Sequence, residues 1–184
     1  MDLNLYSGLI MIRLIIFVVL SIGLVIWSWR LLWNRQVHGF YRFFAFESIL
    51  ALIIVNANTW FANPLSAIQI ISWMLLLASI VIAVQGFYLL HTVGRPAQGI
   101  ENTTILVKTG IYKYIRHPLY GSLILIALGA FLKDTSLLPA SLAILATIFL
   151  AATAIVEEKE NLQRFGKEYA SYMKSTKWFI PFIV

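Results

Sequence analysis

Leu14-Ile15-Ile16-Phe17-Val18-Val19-Leu20-Ser21-Ile22-Gly23-Leu24-Val25-Ile26-Trp27-Ser28-Trp29 runs without a single charge. Roughly 20 predominantly apolar residues cross a hydrocarbon core of about 30 Å as a helix. The stretch reaches that length as a span over about Leu9–Trp33, with Arg13 close enough to one end to snorkel. Trp27-Ser28-Trp29-Arg30 offers no small-residue cleavage site, so the segment reads as a membrane helix and not as a removable leader. Four further apolar blocks follow, at about Phe43–Phe61, Leu65–Leu90, Pro118–Leu132 and Leu137–Val156. After Glu157-Glu158, the tail places Leu162, Phe165, Tyr169 and Tyr172 at helical spacing among Lys and Glu residues. The predicted fold is all-α: a polytopic membrane bundle of about five transmembrane helices plus a cytoplasmic amphipathic C-terminal helix.

Composition agrees. The 184 residues are 60% hydrophobic and 12% charged, with a mean hydropathy of +0.84, and a soluble domain carries about twice that charged fraction. The chain reads as a single membrane domain, 1–184, with three N-terminal spans in 1–90 and a catalytic part in 91–184. The absence of cysteine rules out disulfides, thiolate metal sites and a cysteine nucleophile. Two isolated histidines, His38 and His91, make no metal site. The net charge of +6 reflects basic loops and implies no nucleic-acid partner.

Those loops set an orientation. Arg30, Arg35 and Arg42 lie between spans one and two, and Arg95, Lys108, Lys113 and Arg116 between three and four. Lys159, Arg164, Lys167, Lys174 and Lys177 lie in the tail, while the other side keeps Arg13 and Lys133. The positive-inside rule then puts the N-terminus outside and the tail in the cytoplasm.

Polar residues concentrate on that basic side. Gly110-Ile111-Tyr112-Lys113-Tyr114-Ile115-Arg116-His117-Pro118-Leu119-Tyr120-Gly121 is the densest block. Pro118 suits a first helical turn, which puts Arg116 and His117 at a helix mouth whose N–H groups favour anions. A short outer turn, Lys133-Asp134, makes spans four and five a hairpin, so Glu157 and Glu158 should return beside Arg116 and His117. One glutamate would face a ligand while the other pairs with Arg116. The bland reading of such a cluster is a set of interfacial anchors.

Leu106-Val107, Gly110-Ile111-Tyr112, Arg116-His117-Pro118-Leu119-Tyr120 and Glu157-Glu158 resemble the isoprenylcysteine carboxyl methyltransferase and phospholipid methyltransferase family. Phe165-Gly166, Tyr169, Tyr172 and Ile180-Pro181 extend the resemblance, which covers Thr104 to Pro181. It implies S-adenosylmethionine as cofactor, with S-adenosylhomocysteine as product. It also implies a pocket lined by Thr104, Ile105, Leu106, Val107, Tyr112, His117, Pro118, Leu119, Tyr120 and Glu157, with Arg116 and Glu158 as catalytic groups. No Gly-rich Rossmann fingerprint is present.

Methyl transfer is an in-line displacement governed by positioning. A carboxylate nucleophile needs a cation to hold it. The prenylcysteine enzymes would carry an Arg about one turn before the double Glu, where this chain has Thr153 and Ala154. An amine acceptor needs a proton acceptor, for which Glu158 is available. The leading reading is thus a methyltransferase acting on a lipid-embedded or small hydrophobic substrate in the bilayer. Its alternatives are a phospholipid head-group N-methyltransferase, an NADPH-dependent lipid or steroid reductase, and a non-enzymatic accessory protein. Glu47, inside the second span, is a candidate substrate group or else a partner of Arg42 or Arg35. Asn56, Asn58 and Gln85 read as interhelical hydrogen-bonding groups, and Trp27, Trp29, Trp33, Trp60 and Trp178 as interfacial anchors. The oligomeric state has no signature in the sequence.

Overall fold

The computed structural model describes residues 3–97 and 102–180, with side chains from residue 7 onward. Pro181, part of the expected motif run, lies outside the described residues. Among the described residues, six α-helices follow in order: α1 (Leu3–Leu32), α2 (His38–Val55), α3 (Ala67–Thr92), α4 (Pro118–Phe131), α5 (Leu137–Phe165) and α6 (Lys167–Ser175), with a short 3₁₀ turn at Gly110–Lys113. The chain is an integral membrane protein of the helical-bundle class. Four of its helices, α1, α2, α3 and α5, are long and apolar enough to cross a bilayer. The apolar α4 has 14 residues, or about 21 Å at 1.5 Å per residue, shorter than a hydrocarbon core of about 30 Å.

The sequence misplaced the ends of α2. The expected start at Phe43 moves back to His38 because Glu160 on α5 caps the helix. Its carboxylate accepts the His38 backbone N–H at 3.0 Å and faces His38 Nδ1 at 2.6 Å. Gly39 permits this close course, since a Cβ there would lie 2.5 Å from Leu31. The helix stops at Val55 and not near Phe61, because Asn56 turns the chain and donates to the Ala130 carbonyl at 2.7 Å.

Packing divides into α2 on α5 and α3 on α4, with α1 resting mainly on α2. The core between α2, α4 and α5 includes Ala45, Leu52, Ala127, Ala146, Leu150 and Ala154, all at zero exposure. Small side chains let these helices approach closely, the usual device where lipid removes the hydrophobic drive between spans. At Gly129 the α3–α4 contact is tightest: an added Cβ would meet Leu76 at 2.8 Å and the Ser72 carbonyl at 3.1 Å. Gly129→Val is therefore expected to destabilise the protein by about 1–3 kcal/mol, read as a lowered unfolding midpoint in detergent. An unchanged midpoint would mean that α3 and α4 do not pack there.

The tail departs from the single amphipathic helix expected. Gly166, at φ +55°, adopts a conformation that L-residues resist, and it separates α5 from α6. Leu162 and Phe165 therefore end α5, while Tyr169 and Tyr172 belong to α6.

Candidate active site

Pro118 opens α4, its missing N–H cost-free in the first turn, so Arg116 and His117 stand at the helix mouth. Beside them, α5 does not stop at Glu157-Glu158 but continues two turns to Phe165. Glu157, Asn161 and Phe165, four residues apart, thus share one face. From the other side, the loop after α3 doubles back on Gly94, whose carbonyl accepts from the N–H groups of Thr104 and Ile105 at 2.9 and 3.1 Å. This turn leads the chain into Leu106-Val107 along the mouth.

A cleft forms where these segments meet. Its lining includes Thr103, Leu106, Val107, Tyr112, Arg116, His117, Pro118, Leu119, Tyr120, Glu157, Asn161, Phe165, Tyr169 and Tyr172. It encloses about 610 Å³ of empty space counted out to its mouth, but only about 70 Å³ of this is wide enough for water to move through. Small-molecule sites span roughly 300–1,000 Å³, so a ligand of that size enters only if the walls part.

The two glutamates have separate partners. Glu158, 7% exposed, accepts from Arg116 Nε at 2.6 Å and faces His117 Nε2 at 3.4 Å. Glu157 is more open, at 20% for its side chain, and lies 3.9 Å from His117 Nδ1, with the Tyr120 hydroxyl against it. The His117 ring is held between these carboxylates, stacked on Tyr120 with centroids 5.6 Å apart. Tyr172 donates to the Tyr112 carbonyl at 2.6 Å. Burial pushes the Tyr112, Tyr169 and Tyr172 phenols well above their usual range, and carboxylates beside the first two add to it. All three are neutral walls at physiological pH.

Of the residues singled out in the sequence, the cleft gathers Leu106, Val107, Tyr112, Arg116, His117, Pro118, Leu119, Tyr120 and Glu157. Thr104 and Ile105 are not in its lining. Thr104 Oγ1 turns to the Arg95 carbonyl at 2.9 Å, Ile105 is 44% exposed, and Thr103 takes the place at the wall. Glu158 sits behind the lining, held by Arg116. Just before α4, Arg116 N–H donates to the Lys177 carbonyl at 2.8 Å and His117 N–H to the Trp178 carbonyl at 3.1 Å. Glu47 lies away from the cleft, where its Oε2 accepts from Ser21 on α1 at 2.8 Å and its Oε1 is buried without a hydrogen-bond partner. Asn161, Phe165, Tyr169 and Tyr172 are lining residues that sequence reasoning did not assign to the pocket. The four-residue spacing from Glu157 was the available signal for the first two.

A family model described as phospholipid methyltransferase matches residues 67–168, from the first residue of α3 into α6. The chain belongs to this family. Among similar proteins, methanethiol S-methyltransferase 1 of Bradyrhizobium diazoefficiens is 28% identical over 174 residues, which is 91% of this chain and 53% of that protein. Protein-S-isoprenylcysteine O-methyltransferase of Saccharomyces cerevisiae is 35% identical over 102 residues, 51% of this chain and 42% of that protein. The chain therefore spans about half the length of these curated relatives. No solved structure matches it. The phospholipid methyltransferase match covers every cleft element up to the start of α6, and Tyr169 and Tyr172 follow just beyond it.

Proposed function

We propose that the cleft binds S-adenosylmethionine and that the protein transfers its methyl group to a small hydrophobic acceptor at the cytoplasmic membrane face. The observation that carries this reading is the convergence of Glu157, His117 and an aromatic wall in one cleft of a phospholipid methyltransferase family chain. The residues suit the group chemically. Tyr112, Phe165, Tyr169 and Tyr172 offer flat apolar surface for adenine, Glu157 is an acceptor for hydroxyl or ammonium donors, and aromatic faces favour a cation. Bound there, the cofactor would supply a methyl group on a sulfonium.

The acceptor side supports a small molecule. The position one turn before the glutamates holds Thr153 and Ala154, both at zero exposure, and no arginine for a prenylcysteine carboxylate. Leu150, Ala146 and Ala154 are wholly buried in the core between α2, α4 and α5. The methanethiol S-methyltransferase likeness extends over 91% of the chain, the prenylcysteine likeness over half. A thiol acceptor must lose a proton, and the titratable groups at the cleft wall beside one another are Glu157 and His117. Glu158, the sequence candidate for this role, is committed to Arg116.

Except for Leu90, every lining residue falls after residue 91, which supports a catalytic part in 91–184 carried on the earlier spans. Twelve of the 14 Lys and Arg residues lie on the cleft side of the expected topology, which supports a cytoplasmic cleft and tail with the N-terminus opposite. The family match favours methyl transfer over the nicotinamide-dependent reductase and non-enzymatic readings.

The test is transfer of labelled methyl from S-adenosylmethionine by detergent-purified protein to a small alkyl thiol, a prenylcysteine analogue and phosphatidylethanolamine. Labelling of the thiol is expected. Labelling of phosphatidylethanolamine alone would replace this reading with head-group N-methylation, and no labelling of any acceptor would sink it.

A further inference from the structure

A second and wider hollow lies on the other side of α5. Beyond Val156 that helix turns Glu157 and Asn161 to the cleft, and Lys159, Glu160 and Arg164 to a basin. The loop after α1 and the first turns of α2 form the opposite wall. Among the described residues, none lines both hollows. The basin encloses about 1,960 Å³ counted out to its mouth, and about 1,100 Å³ of this is wide enough for water. Unlike the cleft, it admits a polar group without any wall moving.

Its charge is one-sided. Arg35, Arg42, Lys159 and Arg164 line it, and among the described residues Glu160 is the one carboxylate there. That carboxylate is engaged with His38, accepting its backbone N–H at 3.0 Å and facing Nδ1 at 2.6 Å. Arg164 Nη2 donates to the Asn102 side-chain carbonyl at 2.7 Å, a partner that adds no negative charge. Arg35 on the loop and Lys159 on α5 are both exposed, one on each wall. Positive-inside bias accounts for basic residues on this side of the membrane. It does not account for their convergence on one hollow from the α1–α2 loop, α2 and α5.

The depth of the basin is marked by Trp29 and Trp33 at the end of α1. Both are exposed, with rings edge to face at 5.8 Å. Exposed Trp at the end of a span sits at the head-group layer, and the loop that follows supplies Arg35 at that level. Leu31, Tyr41 and Val156 add apolar wall beside the charges. Basic pockets between helices at this depth suit anionic lipid head groups.

We propose that this basin binds the phosphate of an anionic phospholipid from the leaflet on the cleft side, with Arg35 and Lys159 as its contacts from opposite walls. The lipid is a bound partner joining the α1–α2 loop to α5, and not the methyl acceptor, because Glu157 and His117 face the other hollow. This inference stands whether or not the cleft binds S-adenosylmethionine.

The experiment titrates the full detergent-purified chain with phosphatidylglycerol, phosphatidylcholine and soluble glycerol phosphate, reading bound ligand by native mass spectrometry. Wild type is compared with Arg35→Gln/Lys159→Gln and with Lys167→Gln/Lys174→Gln, which removes the same charge from exposed positions on α6. Ligand-free unfolding midpoints should match in all three, since every substituted side chain is exposed. Phosphatidylglycerol should bind wild type saturably and at least about 10-fold tighter than phosphatidylcholine. Its affinity should fall about 30-fold in the basin variant, which is about 2 kcal/mol at about 1.4 kcal/mol per factor of ten, or about one per cation. The α6 variant should keep wild-type affinity. Equal losses in both variants would show diffuse surface charge and overturn the site, as would equal binding of the two lipids. Glycerol phosphate binding as tightly as phosphatidylglycerol would replace the lipid with a soluble anion.

Discussion

Glu157→Ala is expected to weaken S-adenosylhomocysteine binding by at least about 100-fold while the protein stays folded. The carboxylate lies at the cleft wall with a fifth of its side chain exposed, so its removal leaves no buried cation without a partner. What is lost is its capacity to accept hydrogen bonds from a ligand. Each bond to a charged group contributes about 1.5–3 kcal/mol, and two such bonds correspond to a factor of 100 or more. Calorimetric titration of wild type beside the variant measures the loss, and the unfolding midpoint of the ligand-free proteins checks the fold. Equal affinity in the two proteins would remove Glu157 from the site. A collapsed midpoint would make it a structural residue.

Its neighbour should behave in the opposite way. Glu158→Ala strips the buried Arg116 guanidinium of its 2.6 Å partner and His117 of its nearer carboxylate. Breaking a buried ion pair from one side costs about 3–5 kcal/mol, because the remaining charge stays desolvated and unpaired. The ligand-free unfolding midpoint should therefore fall steeply in Glu158→Ala and little in Glu157→Ala. Combining Glu158→Ala with Arg116→Met should recover part of the loss, since removing both charges is less damaging than removing one. A double variant no more stable than Glu158→Ala alone would show that Arg116 contributes through its bonds to Met173 and Thr176 more than through the pair. Two adjacent acidic residues that are indistinguishable by composition thus divide into a ligand group and a structural one.

That division was legible only in part. The sequence shows that one glutamate would face a ligand while the other pairs with Arg116, since neighbours on a helix diverge by about 100°. Helix geometry alone does not show which, because the choice depends on the rotation of α5 against α4, where Ala143, Ala146 and Ala154 are buried; only the family resemblance pointed to Glu157. The capping of α2 by Glu160 was hidden for a similar reason. A helix normally announces its start with a local Ser, Thr, Asp or Asn, whereas this cap comes from 122 residues further along. Thr104 and Ile105 illustrate a third case. Their position in the motif run is right, but the turn on Gly94 points them away from the cleft and brings Thr103 to it.

By itself the sequence determined the membrane bundle, the pairing of α4 with α5 and the cluster of Arg116, His117, Glu157 and Glu158. These follow from the length of apolar runs, the short Lys133-Asp134 turn and local motif spacing, all of which are properties of contiguous chain. Only the tertiary structure decided that Glu160 caps α2, that the tail breaks at Gly166, and that the N–H groups of Arg116 and His117 pair with Lys177 and Trp178. Those features depend on side chains far apart in the chain meeting at a distance of a few ångströms, and no periodicity along one segment encodes such a meeting.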